Sequence, residues 1–228
     1  MSFNIKTYGS VSIGGVDVWI TESMLVAWLI SALLIALGVY VRIKVKRFQD
    51  IPSGAQSVIE SVVELFEKYV VSIAGSDLSG LASWCFSVCL FMLSAILVGL
   101  FGLRPPTADW SVAFAFAMST FVLIQIKGVQ NRKGEYIMSF FKPNFLFLPI
   151  NIIGELSRPV SLSFRLFGNI LSGMILMNIL YNLLPVYLTI LLPVPLHIFF
   201  DVIMGALQTY IFATLSLSFI RNSATGNT

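Results

Sequence analysis

The chain has 228 residues, 57% of them hydrophobic and 11% charged, and a mean hydropathy of +0.90, which excludes an ordinary soluble globular domain. A net charge of +3 leaves no basic field of the kind that grips nucleic acid. A bilayer span needs about 20 largely apolar residues, and five uncharged stretches meet or approach that length: 23–41, 78–103, 110–126, 166–200 and 202–220.

In chain order, Lys6 is an early lysine, no apolar core precedes Met24, and no small-residue cleavage site follows a short apolar run. The first span is therefore expected to be retained rather than removed as a signal peptide. Arg42, Lys44, Lys46 and Arg47 follow it, and Lys127, Arg132, Lys133 and Lys142 follow the third span. By the positive-inside rule both loops are expected to be cytoplasmic. The juxtamembrane position of "RIKVKR" reads as topology determination, not as a nucleic-acid patch. The loop "RPPTADW" balances Arg104 against Asp109 and fits the outer face. The N-terminus is then outside and the C-terminus inside, with Arg221 as the last inner anchor.

Between the first basic cluster and the second span, Val58, Ile59, Val62, Val63, Leu65, Phe66, Tyr69 and Val70 alternate with Glu60, Glu64, Glu67 and Lys68 at a helical period. Pro52 and Ser53 suit its start. Too charged to span, this helix should lie along the cytoplasmic interface or against a partner helix. Cys85 and Cys89 share one face of the second span and cannot bridge without breaking it. They read as packing residues, and neither zinc spacing nor any other metal site is evident. The segment 136–148 is short and aromatic, broken by Pro143 and Pro149, and is expected to be interfacial or re-entrant. The reading is a single membrane domain: 1–50 as N-terminus and first span, 51–75 as interfacial helix, 78–127 as a hairpin of two spans, and 136–228 as the re-entrant piece and two further helices.

Beyond Asn151 the pattern changes. If 152–184 is one helix, Asn151, Glu155, Arg158, Ser161 or Leu162, Arg165, Asn169 and Ser172 recur at steps of three or four and form a polar stripe. Glu155 stands three residues before Arg158, close enough to pair. Arg165 lies on the same face, roughly 10 Å further along. Pro159 is the misfit, and predicts a kink or an imperfect first turn. Pro185, Pro193 and Pro195 mark a turn, after which His197, Asp201, Gly205 and Gln208 form a second stripe on a returning helix. Intramembrane ionisable groups cost about 2.5–3.5 kcal/mol each on insertion scales and usually mark ion paths, relays or counter-ions. Glu155 and Arg158 read either as a pair holding helices together or as a path border, and His197 either as an interfacial cap or as a relay. Arg165 has no acid on its own helix further along, so its partner is expected on another chain. Arginine suits that role because it stays charged when desolvated, lowers the pKa of a visiting carboxylate and repels a passing cation.

"SRPVSLSFRLFGN" resembles the arginine helix of subunit a of bacterial F-type ATP synthases, and "ALQTYIF" the glutamine segment of that subunit's last helix. "IPSGAQSVIE" and the order of the spans extend the resemblance over most of the chain. It implies an all-α membrane protein of about five transmembrane helices plus an interfacial amphipathic helix, its two long, tilted, antiparallel C-terminal helices facing a ring of subunit c. It further implies a bacterial plasma-membrane location, subunit b of the peripheral stalk and the rest of the F1Fo complex as partners, and H+ or Na+ as the ion, with no cofactor and no catalytic residue of its own. Arg165 would meet the ring carboxylates, Gln208 and Asn169 would stand beside it, and Asp201 would serve the outer half-channel, with His197, Asn178 and Tyr181 near it. Glu155, Arg158 and Ser161 would border the inner one. In the enterobacterial pattern a glutamate follows the asparagine by five residues and a histidine precedes the glutamine by seven; here those positions hold Met174 and Asp201. Two other classes compete. A self-contained cation channel or secondary transporter would usually show paired halves, and no duplication is found. An intramembrane hydrolase would need an HExxH or GxSxG context, neither of which is present, or a second aspartate in a span neighbouring that of Asp201, and no plausible one is found.

Overall fold

A computed structural model describes residues 7–13, 16–45, 48, 54–141, 144–183, 185 and 193–226. Lys6, Lys46, Arg47, Pro52, Ser53, Lys142 and Pro143, to which the sequence reading gave roles, lie outside the described residues. The protein is an all-α membrane protein. Five helices are long and apolar enough to cross a bilayer: Glu22–Val45, Ser76–Leu100, Trp110–Arg132, Phe145–Leu183 and Pro193–Thr225. A helix is the natural spanning form because it satisfies every backbone polar group within itself.

The regular helices are α1 (Glu22–Val45), α2 (Ala55–Ala74), α3 (Ala82–Leu100), α4 (Trp110–Arg132), α5 (Gly134–Ser139), α6 (Leu148–Leu183), α7 (Pro193–His197) and α8 (Gly205–Thr225). A π-helical segment, Ile198–Met204, joins α7 to α8. The fourth apolar stretch, 166–200, is not one element: α6 ends at Leu183 and α7 begins at Pro193. Pro149 does not break a segment either. It stands in the first turn of α6, where its missing N–H and fixed φ cost nothing. Pro159 lies inside α6, well past the first turn. A hairpin that sequence reading passed over precedes α1: β1 (Thr7–Ile13) pairs antiparallel with β2 (Val16–Thr21), with Ile13 opposite Val16. Its signal in the sequence is the Gly-Gly dipeptide at 14–15 between β-branched stretches, a common two-residue hairpin connection.

Two compact units emerge. One comprises residues 1–57, 90–109 and 167–209. Its apolar centre is Val26 and Ile30 of α1 against Ala95 of α3, flanked by Leu34, Phe91 and Val98. The connection after α3 is tied down by Asp109, which accepts from Arg104 Nη2 at 3.0 Å and from Ser23 Oγ at the start of α1. Arg104 and Asp109, which the sequence balances against each other, are thus an ion pair.

The other unit comprises residues 58–89, 110–166 and 210–228. Its core joins Val70 and Ala74 of α2, Leu78 and Leu81, Cys85 and Cys89 of α3, Ile124 of α4, and Ala213, Leu217 and Ile220 of α8. The C-terminal half of α2 therefore packs against helices, while Val58, Val63 and Leu65 in its N-terminal half stay exposed. Polar ties cross this core: Tyr69 Oη to Thr214 Oγ1 at 2.8 Å, Thr120 Oγ1 to Ser216 Oγ at 3.1 Å, and Ser223 Oγ donating to the Ile124 carbonyl at 3.1 Å. Gly75, at φ +91°, makes the turn from α2 toward the second span, a conformation for which a side chain would be penalised. Cys85 and Cys89 are free, buried thiols within this packing.

Candidate functional site

In the first unit the two polar stripes meet. α6 presents Asn169 and the last helix presents Gln208, and Asn169 Nδ2 donates to Gln208 Oε1 at 2.5 Å. Gln208 is 3% exposed, so this bond spares a buried amide the cost of going unpaired. Further along, Tyr181 of α6 meets His197 of α7, Oη to Nε2 at 2.9 Å. His197 Nδ1 lies 2.5 Å from Asp201 Oδ2. The pairs 169/208 and 181/197 run in opposite directions along the chain, which makes the two segments antiparallel here.

The π-helical segment carries Asp201. Hydrogen bonding from i to i+5 widens the turn and changes the phase of the side chains that follow, and such segments recur at functional sites. Asp201 and Gln208 line one open cleft, which is also bordered by Asn169, Met174, Ile96 and Pro105. Ile96 and Pro105 were not singled out from sequence, since nothing in an apolar span or a loop marks which residue will face a cleft. Gly205 lets α3 approach closely: a Cβ there would lie 2.6 Å from Ile96 Cγ2. Asn178, expected beside Asp201, accepts from Asn182 Nδ2 at its own carbonyl, 2.8 Å, and side chain, 3.3 Å.

In the second unit Arg158 Nη1 pairs with Glu155 Oε1 at 2.9 Å. The Arg158 guanidinium carbon lies 5.4 Å from the centroid of the Phe219 ring of α8. Glu155 Oε2 is buried without a hydrogen-bond partner. Asn151 Nδ2 donates to the Phe140 carbonyl at 2.9 Å. Ser161 and Arg165 are exposed. Among the described residues the ion pairs are Lys68–Glu64, Arg104–Asp109, Arg158–Glu155 and His197–Asp201, and none includes Arg165. Outside the spans, Lys68 holds the Glu64 carboxyl below its usual range through a hydrogen bond. Burial pushes the Tyr69 and Tyr136 phenols above theirs. No cluster of three or more His, Cys, Asp or Glu suited to a metal occurs among the described residues.

Five apolar spans bearing amide, carboxyl, imidazole and guanidinium groups on the last two define a multi-pass membrane protein with polar chemistry inside its spans. The family model described as "ATP synthase A chain" matches residues 24–221. The chain is 36% identical over 203 residues to an ATP synthase subunit a of Moorella thermoacetica, covering 88% of this chain and 89% of that one. It is 31% identical over 208 residues to ATP synthase subunit a 2 of a Picosynechococcus strain, covering 90% and 87%. It is 26% identical over 221 residues to the sodium-ion-specific subunit a of Propionigenium modestum, covering 90% and 74%. The chain belongs to the ATP synthase A chain family.

Proposed function

We propose that this chain is the ion-translocating stator subunit of an F-type ATP synthase, held in a bacterial plasma membrane with its N-terminus outside. In this reading Arg165 faces a ring of subunit c, and two aqueous half-channels deliver H+ or Na+ to the ring carboxylates and drain it from them. Asp201 serves the outer half-channel with His197 and Tyr181, and Glu155, Arg158 and Ser161 border the inner one. Subunit b and the remaining F1Fo subunits hold the chain still while the ring turns.

One observation carries the reading: Arg165 is an exposed cation in an apolar spanning helix and has no ion-pair partner among the described residues. A charge so placed is costly unless an acid neutralises it, and a succession of ring carboxylates would do so. Each ring carboxyl reaching Arg165 has its ionised form favoured and releases its ion. The guanidinium itself blocks a direct leak. The driving force is the ion gradient, to which a membrane potential adds about 2.3 kcal/mol per charge per 100 mV, so several charges are summed for each ATP.

The test is Arg165→Ala in inverted membrane vesicles containing the complete complex. Loss of ATP-driven ion uptake while ATP hydrolysis persists is expected. Intact coupled uptake would overturn the assignment.

A further inference from the structure

The six residues of α5 are too few to hold a helix in water unaided. Tyr136 is the buried one among them, 4% exposed. Its ring lies on Gly128 of α4, where an added Cβ would come within 2.6 Å of Cε2, and its hydroxyl donates to Gln125 Oε1 at 2.8 Å. At the far end, Asn151 Nδ2 donates at 2.9 Å to the carbonyl of Phe140, the residue that caps α5. Asn151 and Glu155 stand four apart on α6 and share a face. The end of α5 therefore lies against the face that carries Glu155, and Tyr136 is within electrostatic reach of that carboxyl. We propose that α5 is a strap closed over Glu155 and bolted by Tyr136, and that its opening lets water reach Glu155 from the cytoplasmic side. The proposal rests on the reading of Glu155 as a border of the inner half-channel and adds a gate to it.

Two features oppose the closed position. Arg158 holds Glu155 Oε1 at 2.9 Å, but Oε2 is buried and has no hydrogen-bond partner among the described residues. The Tyr136 hydroxyl has one hydrogen to give, and Gln125 takes it. A buried carboxylate oxygen without a donor is costly, and water would relieve it. The second feature is the hinge. Lys133, between α4 and α5, stands at φ +49° and ψ −124°, and it is the one non-glycine residue at positive φ among the described residues. A side chain is strained in that conformation, which persists only where the surrounding structure enforces it.

Closure is favoured by burial of the Tyr136 ring, by its edge-to-face contact with Phe140 at 5.3 Å, and by the hydrogen bonds to Gln125 and from Asn151. The rest of α5 adds little, since Glu135, Ile137 and Met138 are exposed. A segment held by so few buried contacts opens at low cost. Set against an unsolvated oxygen and a strained hinge, these contacts leave the two positions close in free energy, as a gate requires. Opening turns α5 about Lys133, breaks the bond from Tyr136 to Gln125 and hydrates Glu155 Oε2.

The experiment uses the complete complex in inverted membrane vesicles, whose cytoplasmic face is outward. A water-soluble carbodiimide with glycine ethyl ester marks carboxyls that water reaches, and mass spectrometry of the peptide containing Glu155 reads the rate. Slow marking of the wild type is expected, with marking about tenfold faster in Tyr136→Ala. Tyr136→Phe, which keeps the ring, is expected to stay nearer the wild type. Hydrogen exchange at the α5 amides gives an independent reading of opening. Glu155→Leu removes the unsolvated oxygen and is expected to slow that exchange about tenfold; a merely structural contact between α5 and Glu155 would instead be loosened by the loss. Marking no faster in Tyr136→Ala than in the wild type, or α5 exchange that is not slowed in Glu155→Leu, would overturn the strap while leaving the stator reading intact. Coupled uptake that survives Arg165→Ala would instead overturn the stator reading.

Discussion

Asn169 and Gln208, 39 residues apart in sequence, share a hydrogen bond of 2.5 Å between Nδ2 and Oε1. Each is an amide on a spanning helix, and each gives the other a partner that lipid cannot. Such a bond contributes about 0.5–1.5 kcal/mol and costs more when one side is left unpaired. Asn169→Leu and Gln208→Leu are therefore each expected to reduce ATP-driven ion uptake in inverted vesicles. The double variant is expected to be no worse than the poorer single one, because residues in direct contact are not additive. Multiplying losses would show that the two amides act independently.

The Glu155–Arg158 pair is mostly shielded, with 18% and 25% of the respective side chains accessible. Arg158→Met removes both this partner and the contact over Phe219 while leaving a buried carboxylate. It is expected to destabilise the protein by about 1–3 kcal/mol. Adding Glu155→Leu should recover part of that loss, since replacing both members of a buried pair by apolar groups costs less than breaking it. The check is the thermal midpoint of the purified complex in detergent.

Close approach of α3 to the last helix depends on Gly205. In Gly205→Ala the new Cβ meets Ile96 Cγ2 at 2.6 Å, and overpacking of this kind costs typically about 1–3 kcal/mol. Ile96→Ala combined with it should restore stability by clearing the clash. A glycine position that tolerated alanine alone, judged by complex yield and thermal midpoint, would contradict this packing.

Tyr136 donates to Gln125 Oε1 at 2.8 Å, and burial raises its phenol above the ordinary value. The folded state therefore holds this proton to higher pH than the unfolded chain does. The stabilising contribution is complete below the unfolded value of 10.0 and is lost as pH rises through the higher folded one. Tyr69 behaves in the same sense. Unfolding of the detergent-solubilised protein between about pH 9 and 11 should show an alkaline fall that Tyr136→Phe shallows and Tyr136→Phe with Tyr69→Phe shallows further.

Much of the architecture was legible in the text. Four of the five apolar stretches fall on single spanning helices, the fourth, 166–200, being divided between two, and the charged helix between the first two spans appears as α2. The polar residues spaced at three and four in 151–172 do lie on one long helix, although that helix starts earlier than Pro149 suggested. Proline in a first turn and proline within a helix differ only in where the helix begins, which no local pattern near Pro149 states. The hairpin before α1 was missed because its short alternating strands carry a weaker signal than a 20-residue apolar run. The π-helical segment around Asp201 has no composition that marks it, since it arises when packing inserts a residue into a turn.

Sequence by itself determined that this chain carries about five stretches long and apolar enough to cross a bilayer and that Arg165 stands in an apolar run without an acid on its own helix beyond it. Both follow from transfer free energies and helical spacing, which depend on near neighbours in the chain. Only the tertiary structure decided that Asn169 answers Gln208, that His197 bridges Tyr181 and Asp201, and that Asp201 shares a cleft with Gln208. Those pairings need atoms brought within 3 Å from different helices, or a turn re-phased by packing, and helical spacing along one segment cannot specify either.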